Sequence, residues 1–219
     1  NKSRYVDMYC IKLKAGDLSL MQPQLLLASG SPRRHELMAQ AGYNFRVAHP
    51  DAQESNDPSL SPQQLTGNNA MLKAKSISSS NPDAVVIGAD TLVFLESEPL
   101  GKPDSLSHAE AMLTRLLGKT HQVCTGVALL QGNPATRYSF HVITDVSFRT
   151  LNPEALRSYL ALIDPLDKAG GYAAQEHGEK IIARTSGSYT NVVGLPMDEL
   201  ASHLADKFDI RPQMQNHCT

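Results

Sequence analysis

Apolar residues first cluster in a short continuous run at positions 25–28, which is typical of a buried strand. Polar turn residues follow, and apolar residues then recur at helical spacing between positions 37 and 41. Ser31 suits the N-cap of this helix, Pro32 its first position and Gly42 its end. The segment therefore predicts a strand, a tight turn and a helix.

The middle of the chain has two more continuous apolar runs, at 84–87 and 92–95. They predict two buried strands joined by a turn at 88–91. Before them, the segment 49–64 is rich in Pro, Ser, Asp and Gln and predicts a loop. A helix is expected at 70–77, and the Gly-Asn-Asn triplet at 67–69 weakens its start.

The second half of the chain continues the alternation of helices and strands. Ser107 and Glu110 form a capping-box pattern, which predicts a helix ending at Gly118. The remaining predicted elements are a hairpin of strands at 121–130 and 137–149, a helix from 152 to about 163, a short strand at 180–183 and a helix after Pro196. Together the elements predict an α/β fold with parallel and antiparallel strand pairing.

The length of 219 residues allows one large α/β domain or two small lobes that share a cleft. With 41% hydrophobic residues, the chain can bury an ordinary core. Residues 1–20 lack the order of a signal peptide, so we expect them to form an N-terminal extension. Residues 21–219 are then expected to form a single domain that starts near Met21.

Charge and cysteine content argue against several classes of protein. The formal net charge is −2, which gives no strongly basic surface for nucleic acid. No apolar run approaches the roughly 18 residues of a membrane span. The three cysteines, Cys10, Cys124 and Cys218, show no CxxC spacing. They predict neither a disulfide framework nor a zinc site, and they fit a reducing cytosol.

Two adjacent arginines, Arg33 and Arg34, fall in the first turn of the first predicted helix. Cations there oppose the helix dipole, which favours negative charge at that end. The free backbone N–H groups of the turn and the two guanidinium groups would form a cradle for phosphate. Solvated arginines in surface ion pairs would show the same local pattern, so both interpretations stay open.

Asp90 lies between the two central apolar runs, where its carboxylate should be partly desolvated. A buried carboxylate needs a partner or a metal, or it is protonated. A metal-bound or basic aspartate is one interpretation, and a structural aspartate that caps a turn is the other. Lys102 follows in a rigid Gly-Lys-Pro loop, and Lys73 lies on the helix expected at 70–77. Each lysine, taken alone, is more typical of a solvated side chain.

Seven segments then follow one another in a characteristic order. They are Leu-Leu-Leu-Ala-Ser-Gly-Ser-Pro-Arg-Arg at 25–34 and the segments at 50–54, 73–74, 86–91, 101–103, 167–172 and 193–196. In this order they resemble the motifs of the Maf (septum-formation protein) family over roughly residues 24–208. Each segment is a weak signal alone, whereas seven in family order are a specific one.

The resemblance implies a catalytic carboxylate at Asp90 and an acidic-loop glutamate at Glu54. It also implies that these two residues bind a divalent cation. Hard oxygen ligands and phosphate favour Mg²⁺ or Mn²⁺ over zinc. The implied substrate-binding residues are Ser29, Arg34, Lys73 and Lys102.

Three positions correspond to those that differ between family subgroups and are linked to base choice. Here they are Arg33, Thr91 and Gln175, a combination similar to the dTTP/UTP-hydrolysing type. The other main type acts on 7-methyl-GTP. The chain departs from the family pattern at 173–176, where Ala-Ala-Gln-Glu replaces a more usual Gly-Ile-Gln-Gly, and at Asn68, where arginine is common.

The resemblance implies a mixed β-sheet flanked by helices, with two lobes around a central cleft. The implied activity is that of a nucleoside triphosphate pyrophosphatase in nucleotide-pool house-cleaning. Such an enzyme hydrolyses dTTP, UTP or modified pyrimidine nucleotides to the nucleoside monophosphate and diphosphate. The matching expectation for partners and location is a cytoplasmic homodimer that binds neither nucleic acid nor membrane.

Two other functions are compatible with parts of the sequence pattern. A non-catalytic nucleotide-binding regulator of cell division or septum formation could keep the arginines without a competent carboxylate. Retention of both carboxylates and both lysines favours the enzyme over this regulator. A serine esterase or phosphatase has little support because no G-x-S-x-G segment occurs.

Overall fold

The computed structural model describes residues 23–96 and 98–213, so the extension expected at 1–20 lies outside the described residues. Seven strands form one sheet within the described residues. The strands are β1 (Leu25–Ala28), β2 (Arg46–Ala48), β3 (Val85–Leu95), β4 (Glu98–Leu100), β5 (Thr120–Gln131), β6 (Thr136–Phe148) and β7 (Ile182–Ser186). The helices are α1 (Pro32–Gln40), α2 (Pro62–Ser78), α3 (Leu106–Leu116), α4 (Pro153–Leu160), α5 (Tyr189–Val193) and α6 (Met197–Phe208).

The sheet is open and mixed, with the strand order β2-β1-β3-β5-β6-β7. β1 runs parallel to both β2 and β3, whereas β3, β5, β6 and β7 pair antiparallel in succession. β4 pairs antiparallel with the last residues of β3. The predicted combination of parallel and hairpin pairing is therefore confirmed, and β5 and β6 form the predicted hairpin.

β3 is one strand of 11 residues, so the prediction of two strands joined by a turn is wrong. β5 pairs with it without interruption from Val85 to Phe94. The residues at 88–91 are therefore held in the ladder. Polar side chains interrupt the apolar pattern there without interrupting the strand.

α2 begins at Pro62 rather than at residue 70, which shortens the predicted loop at its C-terminal end. Ser61 and Gln64 explain the earlier start because each side chain accepts a hydrogen bond from the backbone N–H of the other. This capping box stabilises the first turn of the helix. The helix then continues through Gly67, so Asn69 lies within the helix rather than before it.

α3 begins at Leu106 and is capped by Ser105 rather than by Ser107. The Ser105 hydroxyl accepts a hydrogen bond from the backbone N–H of His108. The helix ends at Leu116, two residues before the predicted end.

Three smaller differences follow later in the chain. α4 ends before residue 163, β7 begins after residue 180, and α5 was not predicted because five residues are too few to show a helical period.

Two large buried clusters of apolar side chains lie at the two ends of β3. The first contains Val85 and Ile87 together with residues of α1 and α6. The second contains Val93 and Leu95 together with residues of α3 and α4. Asp90 lies between them, and the helices flank the mixed sheet as predicted. No described helix combines the length and the apolar character that crossing a membrane requires.

Candidate active site

A cavity of about 1010 Å³ opens where the parallel part of the sheet ends. β1 pairs with β3 only as far as Gly88, and β4 begins to pair with the same edge of β3 at Val93. Between these points no described strand covers this edge, so Asp90 and Thr91 line the cavity. Crevices beyond the carboxyl ends of parallel strands are common ligand sites in α/β proteins.

All nine residues predicted for the site line this one cavity. They are Ser29, Arg33, Arg34, Glu54, Lys73, Asp90, Thr91, Lys102 and Gln175. Because they come from distant parts of the chain, the fold brings them together. The basic and acidic side chains therefore share a crevice, which the predicted chemistry requires.

Arg34 is buried in the first turn of α1. Its Nε donates to the carbonyl oxygen of Gly194 at 2.7 Å, Nη1 to Ser29 Oγ at 3.2 Å and Nη2 to Thr91 Oγ1 at 3.0 Å. Burial lowers the pKa of the guanidinium, and the charge of Asp90 opposes this shift. All three acceptors are neutral, and no salt bridge to Arg34 forms within the described residues. A buried cation that lines the cavity without a direct ion pair suits an anionic ligand.

Asp90 is 4% exposed and faces α2. Its Oδ1 accepts a hydrogen bond from Lys73 Nζ at 2.7 Å, and its Oδ2 accepts one from Asn69 Nδ2 at 3.0 Å. Asn69 and Lys73 are four residues apart in α2 and therefore lie on one face of the helix. Because residue 90 is in the middle of a strand, the alternative of a turn-capping aspartate is wrong. The structure shows a buried, partnered carboxylate.

Glu54 contacts the same ammonium group, since its Oε1 lies 2.9 Å from Lys73 Nζ. Asn69 fixes the loop that carries Glu54. Its Oδ1 accepts a hydrogen bond from the backbone N–H of Ser55 at 2.8 Å, and its Nδ2 donates to the Ser55 carbonyl oxygen at 3.0 Å. One buried amide thereby orients both the acidic loop and Asp90.

The oxygen donors of this cluster fit a hard divalent cation. Mg²⁺ is usually held by one or two carboxylates, with substrate phosphates and waters completing its coordination. Glu54 and Asp90 supply two carboxylates that already share one cation, the Lys73 ammonium. Within residues 23–96 and 98–213, no group of three or more His, Cys, Asp and Glu side chains forms a metal cage. Glu54 and Asp90 are therefore the carboxylates that could hold such an ion.

Arg33 forms an ion pair with Asp167 instead of contributing to a cradle for phosphate. Its Nη1 donates to Asp167 Oδ2 at 2.8 Å, and its Nη2 donates to the Asp167 carbonyl oxygen at 3.3 Å. Burial raises the pKa of Asp167, but hydrogen bonds from Lys168 and Arg33 outweigh it and hold the pKa below its usual value. Each of the two interpretations of the arginine pair therefore applies to one of the two arginines. Arg33 is the surface ion pair, and Arg34 faces the cavity without one.

Lys102 and Gln175 reach the cavity from two exposed loops. Lys102 lies between β4 and α3, and Gln175 follows a 3-10 turn at Ala169–Gly171. The backbone N–H of Gly170 donates to the carbonyl oxygen of Gly101 at 3.0 Å and joins these loops. The two side chains therefore lie on connected segments of the cavity wall.

Sequence reasoning missed several groups in the site, among them those of Asn69, Asp167 and Gly194. Asn69 has a weak local signal, its i, i+4 spacing from Lys73. Asp167 lies 134 residues from its partner Arg33, and no local pattern connects them. Gly194 contributes a backbone carbonyl oxygen, which its residue type does not reveal.

His121 lies behind the cavity wall and makes stability depend on pH. It is 1% exposed, and its Nε2 lies 3.1 Å from the hydroxyl of Tyr172. Burial lowers the pKa of His121 from 6.5 to about 4. The unfolded imidazole therefore binds a proton at a higher pH than the folded one. Its stabilising contribution is complete above pH 6.5 and is lost as pH falls towards about 4.

Between about pH 7.5 and about pH 5, we expect this group to remove about 2 kcal/mol of unfolding free energy. Urea unfolding of the wild type and of His121→Phe at both pH values measures the effect. The variant lacks the titration, so the stability difference between the two proteins should shift by that amount. A difference that stays constant with pH would contradict a neutral buried imidazole.

Comparison with known proteins gives a family match over most of the chain. The model of a family described as Maf-like protein matches residues 24–207, which include every residue of the proposed site. The chain belongs to the Maf family. The resemblance inferred from the seven sequence segments is therefore confirmed.

Relatives of this Maf-family chain carry the name dTTP/UTP pyrophosphatase. The protein from Akkermansia muciniphila is 46% identical over 180 residues, which cover 82% of this chain and 94% of the relative. The protein from Symbiobacterium thermophilum is 45% identical over 174 residues, covering 80% of this chain and 89% of the relative. The protein from Moorella thermoacetica is 43% identical over 182 residues, covering 83% and 94%.

Proposed function

We propose that this Maf-family chain hydrolyses dTTP, UTP or modified pyrimidine nucleotides to a nucleoside monophosphate and diphosphate. The proposed role is house-cleaning of the nucleotide pool. The observation that carries the proposal is one cavity that holds the buried Arg34 and a lysine ammonium between two carboxylates. The name shared by the relatives, dTTP/UTP pyrophosphatase, supports the same substrate class.

Binding of the triphosphate depends on compensating charge. The tail carries about four negative charges, which must be neutralised before water can attack. Arg34, Lys73 and Lys102 supply positive charge around the cavity. The Ser29 hydroxyl and the free N–H groups at the start of α1 provide hydrogen bonds to phosphate oxygens. This arrangement positions the chain of phosphates along the cavity.

Glu54 and Asp90 are proposed to hold Mg²⁺ or Mn²⁺. Such an ion neutralises phosphate charge and polarises phosphoryl oxygens. Lys73 holds the two carboxylates together, since its Nζ lies within 3 Å of both. Asn69 fixes the second oxygen of Asp90 and the backbone next to Glu54.

Asp90 is proposed to accept a proton from the water that attacks the α-phosphorus. As the new P–O bond forms, the bond from the α-phosphorus to the bridging oxygen breaks. Diphosphate leaves with that electron pair, and Arg34 and Lys102 compensate its charge. A buried base that is oriented by two hydrogen bonds needs little rearrangement during the reaction.

Arg33, Thr91 and Gln175 are proposed to determine base choice. The Arg33 guanidinium can only donate hydrogen bonds, so it suits the carbonyl oxygens of uracil and thymine. Gln175 supplies an exposed amide on the cavity wall. Thr91 is proposed to act indirectly, through Arg34. Its Oγ1 accepts a hydrogen bond from Arg34 Nη2 and lies 2.9 Å from Thr125 Oγ1.

A panel of nucleotides with the purified protein tests the proposal. We expect kcat/KM for UTP and dTTP to exceed that for ATP, GTP and 7-methyl-GTP at least about tenfold. Nucleoside monophosphate and diphosphate should form in equal amounts and only with Mg²⁺ or Mn²⁺ present. Preference for a purine would contradict the proposed base recognition. Absence of diphosphate with every nucleotide and metal would favour the non-catalytic regulator.

A cytoplasmic homodimer without affinity for nucleic acid or membrane is part of the same proposal. The support is the low net charge, the reducing environment that the cysteines fit and the family resemblance. Light scattering on the purified chain measures its assembly, and gel-shift assays with duplex DNA test the expected absence of binding.

A further inference from the structure

Three consecutive residues before Gln175 are each held by a polar group of an aromatic side chain. The hydroxyl of Tyr172 lies 3.1 Å from His121 Nε2. The backbone of Ala173 contacts the Tyr159 hydroxyl, and the carbonyl oxygen of Ala174 contacts the hydroxyl of Tyr189. This segment leads directly into the exposed amide of Gln175 on the cavity wall.

Tyr159 satisfies both backbone polar groups of one residue. Its hydroxyl accepts from the N–H of Ala173 at 3.1 Å and donates to the carbonyl oxygen of Ala173 at 3.2 Å. The ring is 1% exposed and belongs to the second core cluster. Ala173 is itself 4% exposed, and its backbone makes no other hydrogen bond within the described residues. Removing the hydroxyl would therefore leave two buried backbone groups without a partner.

Tyr189 holds the next residue from another helix. Its hydroxyl donates to the carbonyl oxygen of Ala174 at 3.2 Å, and its ring is 50% exposed at the start of α5. Burial raises the pKa of Tyr159 to about 12, and it also raises the pKa of Tyr189. Both phenols therefore keep the proton that they donate at neutral pH.

We propose that Tyr159 and Tyr189 are positioning residues for base recognition, because their hydroxyls fix the backbone of the segment 172–174, which leads into Gln175. This inference rests on the proposed function, in which Gln175 and Arg33 distinguish the base. Asp167, the partner of Arg33, precedes this segment in the same connection between α4 and β7. Arg33 and Gln175, which are proposed to recognise the base, thus both depend on the chain between 167 and 175. The two tyrosines fix the later residues of this stretch.

The side chains of Ala173 and Ala174 agree with this role. They offer no polar group and little bulk to hold the segment. Its position then depends on backbone hydrogen bonds. Those bonds reach the helices α4 and α5 through the two phenols.

Tyr159→Phe and Tyr189→Phe remove one hydroxyl each and test the inference. Two matched variants serve as controls. Tyr43→Phe removes a buried hydroxyl that has no hydrogen-bond partner within the described residues. Leu156→Val weakens the packing of α4 in the same core cluster as Tyr159 but keeps both tyrosine hydroxyls.

The first measurement is amide hydrogen exchange across 172–176, which does not depend on activity. We expect exchange at Ala173 to accelerate about fivefold or more in Tyr159→Phe, since its N–H loses its acceptor. Tyr43→Phe should show wild-type exchange there. Unchanged exchange in Tyr159→Phe, or equal acceleration in Leu156→Val, would overturn the positioning role.

The second measurement is the ratio of dissociation constants for the non-hydrolysable α,β-methylene analogues of UTP and CTP. Cytosine places an amino donor where uracil has a carbonyl oxygen, so a displaced recognition segment should distinguish them less well. We expect the preference for UTP to fall about tenfold in Tyr159→Phe and about threefold in Tyr189→Phe. Turnover of UTP at saturation should stay within about twofold of the wild type, because the residues around the phosphates are untouched.

The outcomes separate the two proposals. If wild-type protein binds the analogues with a preference for UTP but releases no diphosphate from UTP, the proposed function fails and the ratio still tests the tyrosines. If both tyrosine variants keep the wild-type ratio, the positioning role fails while the function stands. A ratio that Leu156→Val lowers as much as Tyr159→Phe would show a general packing effect and would also overturn it.

Discussion

Asp90→Asn is expected to lower kcat for UTP about a thousandfold while the protein stays folded. Asparagine keeps the size of the side chain but cannot accept a proton from water, and it removes the charge paired with Lys73 at 2.7 Å. Lys73 retains Glu54 as a partner at 2.9 Å, so the ammonium does not become an isolated buried charge. Steady-state kinetics with UTP and thermal unfolding of the same preparation measure the two effects.

Asp145→Asn is the matched control, because Asp145 is an exposed carboxylate on β6 outside the cavity lining. It should hydrolyse UTP at the wild-type rate. Undiminished turnover by Asp90→Asn would remove Asp90 from the reaction. Equal losses in both variants would point to a change of fold or net charge rather than to the site.

Local sequence patterns could predict Arg34 and Asp90 as candidate site residues, whereas Glu54, Lys73 and Lys102 follow only from the family resemblance. Most of the partners of these residues could not be predicted. Arg34 and Asp90 stand out because a cation at a helix start and a carboxylate among apolar residues both conflict with local preferences. Asn69 conflicts with no local preference, since a polar residue on a helix is ordinary. Its contacts with Asp90 and with the loop of Glu54 arise only when α2 packs on the sheet.

The errors in the fold prediction have the same origin. The polar residues of 88–91 resemble a turn in isolation, but pairing with β5 keeps them extended. The expected start of α2 is too late because the Gly-Asn-Asn triplet disfavours helix locally, whereas the capping box of Ser61 and Gln64, inside the expected loop, starts the helix at Pro62. In both places a contact outside the local segment, or a specific pair of side chains, decides the conformation.

Gly88→Ala is expected to destabilise the protein by about 3 kcal/mol or more, because α2 lies directly on the backbone of β3 at this point. An added Cβ would overlap the carbonyl oxygen of Ala70 and would lie 2.8 Å from the backbone nitrogen of Ala74. Backbone atoms of a helix cannot move aside separately, so the whole of α2 must shift outwards. That shift carries Asn69 and Lys73 away from Asp90, and UTP hydrolysis should fall along with stability.

Gly67→Ala, on the same helix, separates this effect from a general intolerance of α2 to alanine. Its added Cβ would meet no atom within 4 Å, and alanine favours helix by roughly 0.5–1 kcal/mol over glycine. We expect Gly67→Ala to raise the unfolding temperature slightly and to keep wild-type turnover, whereas Gly88→Ala should lower the unfolding temperature by about 10 °C. A Gly88→Ala protein with wild-type stability and activity would show that α2 does not need close contact with β3 to place Lys73. The contacts of Asp90 with Asn69 and Lys73 would then depend on those two side chains rather than on the position of α2.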